Sequence, residues 1–486
     1  MSITKSATAS RGLRPRGTAA LAAALLGGCA VGPTYTAPDM RPLAPLEFPD
    51  ADATVTPAAP ADRWWTALGD PLLDELIERA LLGSPDLATA EARVQQARAL
   101  ARVAGASFYP SLTALGQVSR DKLSLNGENL ALIPITPKTT QFTDYRIGFD
   151  AAWEIDLAGR TRRDVEAAVA RLGSATEGRN DARIVVAAEV ADAYVAYRAA
   201  DRRRALAERT LATLAETVHL VTLELRAGVV ADSDLRRAEA DRLNAAGAVP
   251  PLEAARQSAV YQLAALTGEP VDALARRLEP AREIPAVPAT TPAGLPSELL
   301  LRRPDVRRAE RELAAATADV GSAVAAQFPR LALVGDFGLD SVRSGDLLKA
   351  ASRYWNAAPQ LSIPLFAGGR LRGQADAARA GRDAALASYR ATVLRALADA
   401  ESSLIHYAAE RRREADLETA ASNLDATLVL ERQRFAAGDA SLIDVLAAER
   451  LATQAADQRA ASAGLLAQDY VALGKALGGG WQDKHP

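Results

Sequence analysis

The sequence predicts a mainly α-helical fold with a β-barrel portion, the whole laid out as an internal structural repeat. Three observations predict it. Proline is absent from Lys138 to Val249 and from Leu365 to His485, and these stretches are rich in Ala, Leu, Arg and Glu, a composition that favours long helices. Four shorter stretches alternate apolar and polar residues, the period of a strand with one face buried. Landmarks recur at fixed offsets. Pro85-Asp86-Leu87 and Pro304-Asp305-Val306 stand 219 residues apart, as do Pro110 and Pro329, Leu112 and Leu331, and Gly116 and Gly335. Gly228 and Gly438, Asp234 and Asp444, and Glu239 and Glu449 stand 210 apart.

Taken in order, residues 1–28 read as a signal peptide. Arg11, Arg14 and Arg16 form a basic start, and the apolar run Thr18 to Leu26 is too short to span a bilayer. Leu26-Gly27-Gly28-Cys29 resembles the lipobox of bacterial lipoproteins, which implies cleavage before Cys29 and covalent acyl chains on it. Cys29 is the only cysteine, so an intrachain disulfide and a Cys-based zinc site are excluded. Residues 29–60, rich in Pro, Ala and Asp, read as a lipidated N-terminal linker.

Residues 61–110 hold equatorial and first helical segments, with a short helix near Asp70-Pro71 and another from Pro85 to about Ala106. Strands 1–2 occupy 111–157: Leu112 to Ser119, then Tyr145 to Asp156. A first helical hairpin follows over 158–266. Its first helix, about Thr161 to Arg226, spans roughly 100 Å at about 1.5 Å per residue. Gly228 ends it, and a returning helix begins near Asp232 or Ser233. Residues 267–303 form an equatorial linker and 304–330 a second-repeat helix. Strands 3–4 occupy 331–366, from Leu331 to Asp340 and from Pro359 to Leu365, with the loop between them near 340–357. A second hairpin covers 367–477, turning at Gly438 with Ser441 as N-cap. A tail, 478–486, ends the chain.

No mature segment has about 20 continuous apolar residues, so membrane crossing requires strands. Tyr145, Ile147, Phe149, Trp153 and Ile155 fall on one side, and Asp150 and Glu154 on the other, with Asp336 and Asp340 matching them in the second half. A soluble sandwich would give similar alternation; if the strands sit in hydrocarbon, an open sheet edge is forbidden and four strands cannot close a barrel, so several chains would share one. Apolar helix positions such as Ile184, Val185, Ala188, Val195 and Leu206 also need neighbours.

A net charge of −3 argues against nucleic-acid binding. His219, His406 and His485 stand far apart and read as solvated or packed helix residues. No HExxH, GxSxG or phosphate loop occurs, and no catalytic constellation, cofactor or metal site is expected.

Several stretches together carry a family resemblance. They are Val31-Gly32-Pro33-Thr34-Tyr35, Trp64-Trp65 through Gly69-Asp70-Pro71, Trp153 to Arg160, Leu295 to Val306, Pro364 to Arg370, and Ala476 to Trp481. The chain resembles the TolC-like outer-membrane factors of tripartite efflux pumps, in the NodT-type lipoprotein branch. The resemblance implies a homotrimer whose outer-membrane β-barrel continues into a long periplasmic α-helical barrel. It implies an RND inner-membrane transporter and a periplasmic adaptor as partners, passive conduction, and no enzyme activity. It implies a location in the outer membrane, lipid-anchored through Cys29 and extending into the periplasm.

The resemblance also implies that the hairpin tips at Gly228 and Gly438 form the periplasmic gate. Asp234 and Asp444 match acidic tip positions, and three copies of Asp444 around an axis suit a cation-selective ring. Read from the residues alone, Asp444 caps its helix three places after Ser441. Phe435 stands where some members carry tyrosine, so a hydroxyl latch is missing there. The alternative to an export duct is a structural long-helix envelope lipoprotein.

Overall fold

The computed structural model describes residues 30–49, 54–124 and 141–481. The signal segment 1–28, Cys29, residues 125–140 between the first two strands, and His485 lie outside the described residues. Two compact units organise the chain. One draws on residues up to 37, 97–172 and 312–386, the other on 38–96, 173–311 and the remainder from 387.

Short 3-10 turns aside, chain order begins with a two-residue strand, β1 (Val55–Thr56), and helices α1 (Pro71–Gly83) and α2 (Pro85–Ala106). Strands β2 (Ser111–Lys122) and β3 (Gln141–Ile155) follow, then helix α3 (Arg160–Arg226) of 67 residues and α4 (Asp232–Thr267) of 36. After α5 (Val271–Leu278), β4 (Thr291–Pro292) and α6 (Pro296–Arg302) come α7 (Pro304–Ala325), β5 (Arg330–Ser341) and β6 (Arg353–Ser362). Helices α8 (Arg370–Ala437, 68 residues) and α9 (Leu442–Ala476, 35 residues) complete it.

One expectation needs correction. The last strand starts at Arg353 and ends at Ser362, not at Pro359 and Leu365. Its alternation begins with Tyr354 and Trp355, while Pro364 lacks an amide for the ladder and leaves Leu365 and Phe366 exposed. Within 29–60, Val55 and Thr56 pair in parallel with Thr291 and Pro292. The connection 267–303 carries α5 and α6. Pro250 and Pro251 stand inside α4 without ending it. Both are exposed, so water can take the carbonyls they orphan.

In the first unit, β2-β3-β5-β6 form one antiparallel sheet. Residues 30–34 pack beside the start of α3. Val31 N–H donates to the Ala158 carbonyl at 3.0 Å. A Cβ on Gly32 would lie 2.6 Å from Gly321 Cα, and one on Gly159 would lie 2.7 Å from Ala30 Cβ, so these crossings need glycine.

In the second unit the long helices form a layer ordered α4, α3, α9, α8. Arg256 Nε meets Asp201 Oδ1 at 3.0 Å between α4 and α3. Gln468 donates to Asp192 at 2.9 Å and Arg203 to Asp457 at 2.9 Å between α9 and α3. Arg459 bridges to Glu418 at 2.8 Å between α9 and α8. Small residues set this spacing: a Cβ on Gly464 would lie 2.8 Å from Ala199. The core gathers motifs distant in sequence. Trp64 and Trp65 are buried edge to face, with centroids 5.7 Å apart. Gly474 passes so close that a Cβ there would lie 2.6 Å from the Trp64 ring. Tyr470 donates to the Trp64 carbonyl at 3.2 Å, and Trp481 donates to the Arg302 carbonyl at 3.1 Å.

Candidate functional site

Each hairpin tip is built by the same backbone device. At the end of α3, Gly228 adopts φ 73°, its N–H reaches the Leu225 carbonyl at 3.0 Å, and Val229 N–H reaches that of Glu224 at 2.9 Å. At the end of α8, Gly438 adopts φ 85°, with Gly438 N–H to Phe435 at 3.0 Å and Asp439 N–H to Arg434 at 2.8 Å. This paired pattern closes a helix through a left-handed residue, which favours glycine. Phe435 and Val229 are exposed at these tips.

The two acidic tip residues serve different caps. Ser441 donates to Asp444 Oδ2 from its N–H at 2.9 Å and from Oγ at 2.7 Å, while Asp444 N–H returns a bond to Ser441 Oγ at 3.3 Å. The Ser441 hydroxyl, then the Ser441 amide, hold the Asp444 carboxyl below the usual aspartate range. Asp234 makes only half of this box. It accepts from Ala231 N–H at 3.1 Å, and Ala231 has no side-chain oxygen to reciprocate. Across the second hairpin, Arg432 Nη2 meets Glu449 Oε2 at 3.6 Å, and within α8 Arg434 pairs with Glu431 at 2.9 Å. The capping role of Asp444 is thus realised within one chain.

The sheet separates its residue types by face. The register places Ala114, Phe149, Phe337 and Trp355 across the four strands on one side. Phe149, Phe337 and Trp355 are exposed there, Trp355 by 77%. On the other side, Thr113, Asp150, Asp336 and Asn356 align, with Asp340 opposite Arg146 and Glu154 opposite Ala332. Asp150, Glu154, Asp336 and Asp340 therefore share one face. Arg146 lies flat on it: Nε donates to the Tyr354 hydroxyl at 2.7 Å, and the guanidinium sits 4.6 Å from that ring. Gly148 and Gly338 make room, since a Cβ on either would come within 2.9 Å of the Tyr354 hydroxyl.

Sequence reasoning missed a buried polar node in the second unit. Asp70 caps α1 by accepting from Leu72 N–H at 2.9 Å, and it also accepts from Tyr194 at 2.5 Å and Arg282 at 2.7 Å. Arg198, fully buried, donates to Tyr194 at 3.0 Å and to the carbonyls of Leu278 and Pro280 at 3.0 Å. Burial first, then the bond to Asp70, pushes the Tyr194 hydroxyl far above the usual tyrosine range. The Gly69-Asp70-Pro71 cap signal marked one member of this node; nothing local marked Tyr194 or Arg198.

The family model for outer membrane efflux protein matches residues 76–269 and 295–479. The pyoverdine export outer membrane protein OpmQ of Pseudomonas aeruginosa is 34% identical over 462 residues, covering 94% of this chain and 95% of that protein. Nodulation protein T of Rhizobium leguminosarum bv. trifolii is 30% identical over 462 residues, covering 94% and 96%. Among solved structures, that of the outer-membrane channel OprN matches with a TM-score of 0.84 at 34% identity, covering 94% of this chain and 100% of that one.

Proposed function

We propose, on the premise that this chain belongs to the outer membrane efflux protein family, that it is the exit duct of a tripartite RND-type pump. Proteins of the family are outer-membrane efflux channels and not enzymes, and this chain is a NodT-type member of it. In the proposed assembly three copies pool their strands, within 111–157 and 331–366, into a twelve-stranded barrel. The helical hairpins, within 158–266 and 367–477, continue the wall into the periplasm. Substrate passes from an inner-membrane transporter through a periplasmic adaptor and leaves passively. Acyl chains on Cys29 anchor the N-terminus to the membrane. The tips at Gly228 and Gly438 form the gate, with Asp444, Asp234 and Phe435 around it.

The unfinished sheet carries this reading. Four strands present an uncovered apolar side, and β2 and β6 have no further neighbour among the described residues. An open edge in hydrocarbon leaves backbone groups unpaired at a cost of several kcal/mol each (roughly, by transfer of amides). Copies that pair β6 with the next β2 remove every edge. The same model matching twice, over 76–269 and 295–479, supports a duplicated unit. Helices α3 and α8, of 67 and 68 residues, support it as well.

The test is purification in detergent followed by planar-bilayer recording. Heat-resistant trimers with discrete conductance are expected, and Asp444→Ala is expected to change cation block without loss of trimers. A soluble monomer that conducts nothing overturns the duct.

A further inference from the structure

The charged residues of the sheet are sorted by side. On the acidic face lie Asp121, Asp144, Asp150, Glu154, Asp336 and Asp340, together with Arg146 and Arg330. The apolar side carries three charges among the described strand residues, Arg120, Lys122 and Arg353, and all three are basic and exposed. No ion pair to any of them is found among the described residues. Since the strand acids all point to the opposite side, the sheet offers these cations no counter-charge.

Their positions along the strands agree. The helix-proximal ends of the edge strands are Ser111 in β2, after α2, and Ser362 in β6, before α8. Arg120 stands nine positions beyond Ser111, and Arg353 stands nine positions before Ser362. Both lie at the end of the apolar band away from the helices, past Val118 on β2 and Trp355 on β6. They also lie on the two edge strands, which meet when copies close the barrel. Each seam would thus bring Arg120 and Lys122 of one copy beside Arg353 of the next.

Resting on the duct reading above, we propose that each subunit seam binds the phosphate-bearing headgroup of an anionic outer-leaflet lipid through Arg120, Lys122 and Arg353. The apolar side faces lipid, and its helix-distal end faces the exterior leaflet. Cations are costly at mid-membrane but tolerated at the rim, where long side chains reach the headgroups. Guanidinium groups present paired N–H donors that match phosphate oxygens, and an ammonium adds a compact third charge. Edge-strand cations can also serve to block stray strand pairing. That role ends once the seam is closed, whereas the missing counter-charge persists.

The test uses full-length trimers in detergent with diphosphoryl lipid A or its dephosphorylated form as probe. Retained lipid per chain is measured by mass spectrometry after gel filtration. Wild-type trimers are expected to retain the phosphorylated lipid at least fivefold over the phosphate-free one and to release it in molar salt. R120Q/K122Q and R353Q, each checked for heat-resistant trimers, are expected to lose this retention, while R330Q keeps it. Mixed trimers of the two variants retain one intact seam, so they should recover roughly one third of wild-type retention, as ring closure dictates. Equal retention of both probes, retention through molar salt, or mixed trimers no better than either parent overturns the site. If the wild-type protein forms no trimers, the duct reading itself falls; if trimers conduct but do not discriminate the lipids, only this inference falls.

Discussion

Asp70→Ala should be among the most damaging single changes in the second unit. The carboxylate is 8% exposed and holds three groups at once: Leu72 N–H at 2.9 Å, the Tyr194 hydroxyl at 2.5 Å and Arg282 at 2.7 Å. Losing an N-cap costs about 1 kcal/mol. Leaving the buried Tyr194 hydroxyl without an acceptor costs about 1–3 kcal/mol. Arg282 is partly exposed, so its share is small. The sum is roughly 2–4 kcal/mol, some 30-fold to 1,000-fold in the folding equilibrium (about tenfold per 1.4 kcal/mol). Asp70→Asn keeps the capping oxygen but puts an amide N–H donor where Oδ2 accepts from Tyr194, so it should cost about 1–3 kcal/mol, while Tyr194→Phe leaves the cap intact and should cost about 1 kcal/mol. The assay is the apparent thermal midpoint of detergent-purified protein, followed by near-ultraviolet circular dichroism. The expected order of loss is Asp70→Ala, then Asp70→Asn, then Tyr194→Phe. If Asp70→Asn is as damaging as Asp70→Ala, the retained cap at Leu72 contributes nothing, and the reasoning is refuted.

Two further outcomes follow from the geometry. Asp444 is held below the usual aspartate range, so its cap is fully present above the unfolded-state pKa of about 3.9 and is lost as pH falls through the lower folded value. Protection from hydrogen exchange at the start of α9, taken relative to the intrinsic rate at each pH, should therefore fall on acidification below that range, and Asp444→Asn should flatten the response; an unchanged profile in the variant would contradict the cap. Gly474→Leu should displace Trp64, because even a Cβ there would lie 2.6 Å from the ring. Red-shifted tryptophan emission and a lowered thermal midpoint are expected, and wild-type values for both would show that the contact can relax.

The motifs that had no visible purpose in the sequence acquire one through contact. The glycines of Ala476 to Trp481 and the pair Trp64-Trp65 lie some 400 residues apart, yet Gly474, Gly479 and Gly480 all approach those two rings. Gly159, in the stretch Trp153 to Arg160, yields to Ala30, and Gly32, in Val31 to Tyr35, yields to Gly321. Local pattern showed that glycine was used there; only the path of a second chain segment shows why. Asp444 was open to two readings because a capping box and a pore carboxylate occupy the same position in sequence, and the cap is the one that a single chain completes.

By itself the sequence determined the helices, the strand faces and the tips, because each depends on neighbours a few residues away. Proline-free stretches, period-two alternation, and glycine followed by a capping Ser or Asp act through local backbone geometry. Only the tertiary structure decided the strand register, the true limits of β6, the ladder from Val55 to Thr291, and the node joining Asp70, Tyr194 and Arg198. Those features pair residues distant along the chain, and what selects among such pairings is burial and hydrogen-bond satisfaction summed over the folded molecule.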